Sequence, residues 1–402
     1  MLTMPVPVRP ADAFDRALAL LDEARDLLAE RVLSPEPPSW CRARGWHAFL
    51  DSLDDGELGR CEGLGLHAAI DALVRAPPSL RSLAERVKEV VALPRPDLDA
   101  VPTVLHRATS RKRGQVAALA VLCRERVRHA RRVVDFGAGH GHLTRTLAES
   151  LGIDALGVDR DPERVATART LTEGSRARFE VYDVAAGSPP MTSQDFLVGL
   201  HACGGLGDAL VRAAAETGAP ALLVSCCLQK RPEAARLPLS ERGRAAGFVL
   251  SRELLGLTNL ASRYDGVEQG VEGILRDRET RWALYLLLRG RGLAVRVGEE
   301  VHGINRKRVR RGLAALAPEV LARRGLPPPS DDELAEVAAR ARHEHGRIRR
   351  LSLPRNMLGR VPEIAVALDR VCAFEDRGRR AHLFEGFDPG LSPRNLTLLA
   401  EA

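Results

Sequence analysis

The sequence has no run of about 18 or more apolar residues, which is the length at which a transmembrane helix becomes a candidate. Its opening segment, residues 1–10, carries three prolines and no apolar core of signal-peptide length. No internal repeat and no long low-complexity tract is found. These absences argue against a membrane protein, a secreted protein and a repeat array, and they favour a cytoplasmic location.

Cysteine is also scarce. The chain has 7 cysteines, an odd number with irregular spacing and without any C-x-x-C pair. This pattern fits neither a disulfide framework nor a zinc ribbon, and reduced thiols are consistent with the cytoplasm. The segment His343-Glu344-His345 could bind a metal, but an exposed helix explains it better. The sequence therefore predicts no metal site.

Lysine is scarce as well, so that almost all of the positive charge is arginine, and the net charge is +7. Arginine binds phosphate through bidentate hydrogen bonds, so an RNA partner is expected. Alternatively, a GC-rich genome produces such an excess of arginine, and each cluster is a solvated helix face. The basic residues concentrate in three clusters: Arg111-Lys112-Arg113, Arg306-Lys307-Arg308 with Arg310-Arg311, and Arg347 with Arg349-Arg350.

One stretch, residues 133–143, organises the chain. A short apolar run containing Asp135 leads into a glycine turn, and a helical pattern follows. Such a turn lets a ligand approach the backbone and the N-terminus of the helix. The dinucleotide fingerprint would need a glycine where His142 stands, whereas an acid before the turn suits the ammonium group of S-adenosylmethionine. Many glycine turns are purely conformational. The glycines that we assign to cofactor binding are Gly137, Gly139 and Gly141.

Two further acids strengthen this assignment. Asp159 ends a second buried strand about 20 residues after the turn, where an acid meets ribose hydroxyls in doubly wound folds. Asp183 ends a third strand and could accept a hydrogen bond from the adenine amino group. Each acid alone is more simply a cap or turn residue. Together with Asp135, at three successive strand ends, they predict an S-adenosylmethionine site.

Reactive side chains follow the next two strands. His201 and Cys203 come after the fourth strand, and Cys226-Cys227 after the fifth, so we expect all of them near the transferable methyl group. His201 could act as the general base and also contact the cofactor. Alternatively, Cys203 or Cys226 is a nucleophile, as in cytosine-C5 methyltransferases. The cysteines could also be packing residues, which is the interpretation favoured for Cys227, while His201 hydrogen-bonds its loop.

The chain of 402 residues is 45% hydrophobic and 28% charged, as expected of a globular protein with more than one domain. Strands alternating with helices predict an α/β fold, a Rossmann-like parallel sheet. Residues 381–387 and 395–399 could form an antiparallel pair that completes a seven-stranded class I methyltransferase sheet, and residues 361–376 an amphipathic helix. The predicted regions are 1–105 (helical N-terminal region), 106–230 (methyltransferase core), 231–378 (helical insertion before the last two strands) and 379–402 (C-terminal strands).

Four segments together carry a family resemblance. They are residues 111–116, 134–139 and 199–204, the last containing H-x-C-G, and the pair Cys226-Cys227. The chain resembles a methyltransferase-like family that includes proteins once described as related to rRNA adenine dimethylases and, more distantly, tRNA 2′-O-methyltransferases. Arg111-Lys112 and Gln115 stand where the family usually has two lysines and a glutamate, and Gly205 replaces an acid. The cysteine- and histidine-rich zinc modules of the tRNA enzymes are missing.

The resemblance implies an S-adenosylmethionine-dependent methyltransferase (EC 2.1.1.-) that acts on tRNA or rRNA. The basic residues before the glycine turn, Arg111, Lys112 and Arg113, are predicted to bind that RNA. A protein or small-molecule acceptor remains an alternative, as does a cofactor-binding scaffold on RNA or the ribosome without catalysis. The sequence leaves the acceptor atom open.

Overall fold

The computed structural model describes residues 9–96, 110–124, 126–172, 174–184, 186–187, 189–259 and 270–402, with the backbone alone at 110, 111, 270, 271 and 306. These residues fall into two compact units. The first comprises Met1–Glu23, Val87–Ser262 and Gly359–Ala402, and the second Ala24–Arg86 and Arg263–Leu358. Within the described ranges, none of the helices combines the length and apolar character that crossing a membrane requires.

Both units contain helices. They are α1 (Pro10–Glu23), α2 (Arg25–Ala29), α3 (Ser39–Ala43), α4 (His47–Asp51), α5 (Asp55–Leu64), α6 (Leu66–Ala69), α7 (Pro78–Val91), α8 (Ser110–Arg124), α9 (His142–Leu151), α10 (Pro162–Thr170), α11 (Gly205–Thr217), α12 (Glu241–Ala245), α13 (Arg252–Leu257), α14 (Gly270–Gly290), α15 (Leu313–Ala322), α16 (Asp331–Met357) and α17 (Val361–Glu375). Short 3₁₀ helices span Ile70–Ala72, Val127–His129, Arg306–Arg311 and Leu358–Arg360.

The first unit is built on a seven-stranded sheet. Its strands are β1 (Arg132–Phe136), β2 (Ala155–Asp159), β3 (Ala177–Val181), β4 (Asp195–Ala202), β5 (Ala221–Ser225), β6 (Ala381–Glu385) and β7 (Leu396–Ala400). Their order in the sheet is β3-β2-β1-β4-β5-β7-β6. The strands β1 to β5 pair in parallel, whereas β7 is antiparallel to both β5 and β6. The α/β fold and the antiparallel pair at the end of the sequence are therefore confirmed. A separate ribbon pairs Ala235–Arg236 with Leu250–Ser251.

The central strands are buried on both faces. Every residue of β2 and β5 is buried, and all but the first residue of β1. In β1 the neighbouring residues Val133 and Val134 point to opposite sides, into two separate apolar cores. Continuous apolar runs are typical of parallel strands that helices cover on both faces, which is why these strands could be recognised in the sequence.

The helix α17 differs from its prediction as an amphipathic helix, because nearly every one of its residues is buried. It packs against α1, α11 and the strands β6 and β7 of the same unit. A helix enclosed in this way needs apolar or paired side chains all round rather than one apolar stripe. The helix α1 thus groups with the sheet, and the compact units divide the chain elsewhere than at the predicted bounds 105, 230 and 378.

The second unit is helical. The long helices α14 and α16 pack together, and Leu284 and Leu288 of α14 share a core with Leu316 and Val320 of α15. All three tryptophans of the sequence, Trp40, Trp46 and Trp282, belong to this unit.

The segment His343-Glu344-His345 lies on α16. Glu344 accepts a hydrogen bond from the Trp282 indole (3.0 Å), and His345 is buried, only 8% exposed. The interpretation of this segment as an exposed helix face is therefore wrong for His345. Burial lowers the pKa of His345 to about 4, and Arg349 and Arg278 act in the same direction, so its imidazole is neutral at physiological pH.

Candidate functional site

The glycine turn connects β1 to α9. Its three glycines have positive φ angles: Gly137 (75°), Gly139 (57°) and Gly141 (74°). Side chains rarely adopt this conformation, and a Cβ atom on Gly141 would lie 2.3 Å from the ring of Phe179. A Cβ atom on Gly139, by contrast, would meet nothing within 4 Å. The turn is therefore packed tightly on one side and leaves open space beside Gly139.

Asp159 fixes this turn to the end of β2. One carboxylate oxygen accepts from the backbone N–H of Gly139 (2.9 Å), and the other from the N–H of Asp161 (3.0 Å). A carboxylate has about four acceptor positions, so each oxygen retains capacity for a further donor such as a hydroxyl group. Asp159 therefore both shapes the turn and offers acceptor atoms beside it.

Asp135 is buried in β1 and only 2% exposed. Its carboxylate accepts a hydrogen bond from the Thr144 hydroxyl (2.7 Å) at the start of α9. Burial raises the pKa of Asp135 to about 6, and the nearby Asp159 adds to this, while Thr144 and Lys112 lower it. The carboxylate is thus held at an energetic cost, with the hydroxyl and backbone N–H of Thr144 as donors and a lysine nearby, an arrangement that favours a further cation.

The basic segment before the turn lies on α8. Burial lowers the pKa of Lys112, while the charge of Asp135 raises it. The ammonium group of Lys112 therefore lies close enough to Asp135 for an electrostatic interaction. Arg113 is exposed, and the side chain of Arg111 lies outside the described residues. Of the three predicted RNA contacts, Lys112 thus belongs to the surroundings of Asp135.

His201 stands near the end of β4 with φ 59°, a left-handed backbone that no other non-glycine residue in the described ranges adopts. The register between β4 and β5 shifts here, between Leu200 and Ala202. His201 Nε2 lies 3.0 Å from the side-chain oxygen of Gln115, which is buried on α8. Non-glycine residues held at such angles concentrate at functional sites. In the sequence Gln115 stands out only as a departure from the family pattern, and no local signal indicates this contact.

Three thiols come together beside His201. The Sγ atoms of Cys203, Cys226 and Cys227 all lie within 4.8 Å of one another, and those of Cys226 and Cys227 are 3.5 Å apart. Hydrogen bonds from Cys203 and Cys226 lower the pKa of Cys227, and Arg394 and Lys230 act in the same direction. Hydrogen bonds to Cys203 and Cys227, together with burial, raise the pKa of Cys226. Cys227, which was interpreted as a packing residue, is therefore the thiol of this cluster whose pKa its neighbours lower.

These groups occupy one edge of the sheet. A Cβ atom on Gly137 would touch Leu206 at 2.7 Å, so the glycine turn adjoins the start of α11 just after Cys203. The helix α8 carries both Lys112, near Asp135, and Gln115, beside His201. Asp183 is exposed and lies beyond the end of β3, where its carbonyl accepts from the N–H of Ala186 (3.0 Å).

A buried charge network lies next to this edge, and no sequence pattern indicated it. Asp208 of α11 accepts from Arg231 (2.7 Å), Arg236 (3.1 Å) and Arg370 (2.9 Å). Arg370 also donates to the hydroxyl of Ser225, the residue before Cys226 (2.8 Å). Burial alone would raise the pKa of Asp208, but the three guanidinium groups hold it well below the usual range. The network therefore ties the end of β5 to α11 and α17.

Comparison with known proteins gives this geometry a context. Residues 111–233 match a family model described as "Methyltransferase domain". This segment contains the glycine turn, both aspartates beside it, His201 and the three thiols. With the observed sheet order, the match identifies a methyltransferase-type α/β domain and implies S-adenosylmethionine as its cofactor.

Solved structures show only distant similarity. A sugar N-methyltransferase from Streptoalloteichus sp. is 22% identical, over 32% of this chain and 60% of that one. Magnesium protoporphyrin IX methyltransferase from Synechocystis is 19% identical (31% and 61%), and a Pyrococcus abyssi tRNA (uracil-54, C5)-methyltransferase 20% identical (34% and 33%). The TM-score is 0.24 for each, and the chain spans less than two thirds of each of these proteins. At such scores the similarity supports no inference about the substrate.

Proposed function

We propose that this protein is an S-adenosylmethionine-dependent methyltransferase that acts on RNA, either tRNA or rRNA, with His201 as the general base. The observation that carries the proposal is the glycine turn hydrogen-bonded to Asp159, beside His201 and the thiols at the same edge of the sheet. In open parallel sheets, ligands bind at the carboxyl ends of the strands.

The residues around the turn fit the cofactor. The open space beside Gly139 admits a ligand, and the remaining acceptor positions of Asp159 suit ribose hydroxyls. Asp135, buried with few donors, suits an ammonium group, and Asp183 suits the adenine amino group. When bound, the cofactor supplies a methyl group on a positively charged sulfur.

In this proposal His201 removes the proton of the acceptor atom. The contact of Nε2 with the Gln115 side-chain oxygen orients the imidazole for this role. The bound cofactor would supply the methyl group that the acceptor atom receives by in-line displacement, and His201 would take the proton that this atom loses. This displacement needs mainly positioning and a base, so one oriented imidazole is sufficient.

Unpaired basic side chains support RNA as the acceptor. Lys307 and Arg310 are exposed on the 3₁₀ helix Arg306–Arg311, and neither forms an ion pair with another of the described residues. The cluster around residue 350 is different, because Arg347, Arg349 and Arg350 pair with Asp51, Glu62 and Asp55. Arginines already paired with carboxylates have less to gain from phosphate, so we assign the RNA contact to Lys307 and Arg310.

The activity is tested with radiolabelled S-adenosylmethionine on RNA, protein and small-molecule fractions. We expect label in RNA with the wild type, and a turnover at least 100-fold lower with His201→Ala, the scale of general-base catalysis. Calorimetry should show that His201→Ala still binds the cofactor. The matched control is His302→Ala, since His302 is exposed on the second unit. Label confined to protein or small molecules would refute the RNA assignment, and undiminished turnover in His201→Ala would refute the base.

The RNA contact is tested through its salt dependence. RNA held by phosphate contacts dissociates as salt rises, and each lost contact lowers the logarithmic slope by nearly one. We expect the double variant Lys307→Ala/Arg310→Ala to lower this slope by about 1 to 2. Arg347→Ala, which removes a paired arginine, should leave it unchanged. Equal slopes in the wild type and the double variant would contradict the assignment.

A cysteine nucleophile is a second candidate, favoured by the lowered pKa of Cys227, which hydrogen bonds from Cys203 and Cys226 produce. A thiolate could attack a pyrimidine ring and activate its C5 atom for methylation. RNA containing 5-fluorocytosine would then trap a covalent adduct with the protein. An adduct that disappears in one cysteine variant would replace the base mechanism by this route.

A further inference from the structure

The three thiols beside His201 are arranged as a ligand set. Tetrahedral Zn²⁺ with sulfur ligands at about 2.3 Å separates neighbouring sulfurs by roughly 3.8 Å. The observed separations, 3.5 Å between Cys226 and Cys227 and none above 4.8 Å, bracket that value. Side-chain rotations that move the sulfurs by up to about 1 Å are therefore enough to bring all three onto one ion.

The backbone holds these thiols together without help from a ligand. The carbonyl of Cys227 accepts from the N–H of Gly204 (3.1 Å) and from the N–H of Lys230 (3.0 Å). Gly204 has φ 58°, and a Cβ atom there would lie 1.6 Å from the carbonyl oxygen of Lys230. The loops after β4 and β5 are thus in direct contact at a glycine that no other residue can replace. A preformed site loses less conformational entropy when it binds a ligand.

Charge and access also suit a cation held by thiolates. Binding a divalent ion to three thiols releases three protons to solvent and leaves a complex of charge −1. Arg394 and Lys230 lie near Cys227 and offset that charge. These three cysteines are partly exposed, whereas Cys41, Cys61, Cys123 and Cys372 are buried. An ion from solution can therefore reach this cluster and not the other thiols.

We propose that Cys203, Cys226 and Cys227 bind Zn²⁺, or a divalent ion of the same thiophilic class, through three thiolates, with the fourth coordination position open. Three protein ligands and one open position are the arrangement of catalytic rather than structural zinc sites. The site stands on the cysteine geometry and does not depend on methyl transfer. It differs from the expectation of no metal because the ligands come from two loops that only the fold brings together.

The proposal has a consequence for the cysteine route. Attack of a thiolate on a pyrimidine converts its sulfur into a neutral thioether, which binds zinc much more weakly than a thiolate does. Metal binding and an RNA adduct on Cys227 therefore exclude each other at the same cluster. The base mechanism through His201 is unaffected, because the metal cluster does not include His201.

Co²⁺ is the probe for the coordination set, because its thiolate charge-transfer absorption grows with the number of bound sulfurs and its visible bands report tetrahedral geometry. The experiment uses the full chain without a histidine tag, reduced and free of oxygen. We expect one Co²⁺ per chain, with both signals, and displacement by Zn²⁺. Cys203→Ser, Cys226→Ser and Cys227→Ser should each lose the absorption of one thiolate. Cys372→Ser, which removes a buried cysteine of α17, should retain the whole band.

Thiol reactivity provides a second measurement on the wild type, which remains valid if a serine variant fails to fold. In the native protein we expect a thiol reagent to modify only the three partly exposed cysteines. One equivalent of Zn²⁺ should protect all three, and a chelator should restore their reactivity. Reactivity unchanged by Zn²⁺, absence of the charge-transfer band, or a full band in any of the three cluster variants would overturn the proposal.

Discussion

Two buried carboxylates of the first unit have opposite surroundings. Asp208 accepts from three arginines, and its pKa lies well below the usual range because Arg236 and Arg370 outweigh the effect of burial. Asp135 accepts from the hydroxyl and the backbone N–H of a single residue, Thr144, and burial raises its pKa to about 6. One region of the sheet edge therefore surrounds its carboxylate with guanidinium donors, whereas the other keeps a carboxylate with few donors.

The difference separates a structural charge from a binding charge. A buried ion with all of its donors supplied by the protein fixes the elements that supply them. A buried carboxylate with few donors destabilises the free protein. Because a bound cation relieves this destabilisation, such a carboxylate favours a cationic ligand over a neutral one. The comparison thus assigns Asp208 to holding β5, α11 and α17 together, and Asp135 to the ligand.

The largest change in stability is expected in the arginine network around Asp208. Asp208→Asn leaves Arg231, Arg236 and Arg370 with Asp369 as the remaining carboxylate partner of the network, through Arg236 (2.7 Å). We expect a loss of about 3–5 kcal/mol in the free energy of unfolding, the cost of breaking a buried ion network. Urea unfolding followed by far-ultraviolet circular dichroism measures it. A loss below about 1 kcal/mol would show that the network is not structural.

The same network offers an internal control. Three arginines and two aspartates give it an excess of one positive charge. Arg370→Met removes that excess and retains the volume of the side chain, so it should destabilise less than Asp208→Asn. The reverse order would indicate that the hydrogen bond from Arg370 to Ser225 (2.8 Å) matters more than the charge balance.

At Asp135 we expect a substitution to stabilise the fold rather than destabilise it. The unfolded chain loses this proton near 3.8 and the folded chain near 6, so the folded state binds more protons between these values and stability falls as pH rises. The gap corresponds to about 3 kcal/mol, and Asp135→Asn should recover part of it at pH 7.5. Urea unfolding between pH 4 and pH 8 tests this, since the slope near pH 5 should become smaller in the variant.

Asp135→Asn should bind the cofactor more weakly although it is more stable. Ionised Asp135 attracts an ammonium group, so the affinity of the wild type for S-adenosylmethionine should rise with pH through about 6. Asp135→Asn should lack this dependence and bind about 1–3 kcal/mol more weakly at pH 7.5. Calorimetry at several pH values measures both. A variant that is less stable and binds normally would reverse the assignment of the two carboxylates.

Asp159 is expected to show an effect of intermediate size. Asp159→Ala removes the acceptor of Gly139 N–H and the proposed ribose contact, so cofactor binding should weaken by about 1–3 kcal/mol. Asp154→Ala is the matched control, because Asp154 is exposed just before the opposite end of β2. Equal affinity of both variants in calorimetry would remove Asp159 from the site.

The smallest effects are expected in the second unit, where all tryptophans lie, so that indole fluorescence follows its unfolding. Arg340 pairs with Glu344 while 63% exposed, and Arg340→Ala should cost at most about 0.5 kcal/mol. Arg349→Ala should cost about 1–2 kcal/mol, because its partner Glu62 is only 4% exposed and would lose a charged hydrogen bond. Equal losses of stability in the two variants would mean that burial of the carboxylate partner does not determine how much each ion pair contributes.

Local patterns could be predicted from the sequence because short-range physics determines them. Asp161 caps α10 by accepting from Glu163 N–H (3.0 Å), with Pro162 in the first turn, as its position in the sequence indicates. Ser330 caps α16 in the same way, through Glu333 N–H (3.2 Å). The glycine turn and the strands of the sheet carry equally local signals, namely alternate glycines and continuous apolar runs.

Long-range pairing could not be predicted. Arg370 and Asp208 lie 162 residues apart, and nothing in either neighbourhood specifies the other. The arginines near residue 350 look like a phosphate-binding cluster until the fold supplies Asp51, Asp55 and Glu62 as partners. The contact between Gln115 and His201 spans 86 residues and was equally invisible. A single sequence shows which charges exist and not which of them are already neutralised.

The position of β7 has a consequence for synthesis of the chain. This strand inserts between β5 and β6, and Ala400 pairs with Ala221 and with Ala381. On the ribosome the open edge of β5 must therefore wait, unpaired, until residue 400 has emerged, while the second unit has all of its segments once residue 358 is out. Exposed apolar strand edges recruit other chains. The nascent chain thus carries an unpaired strand edge over this interval.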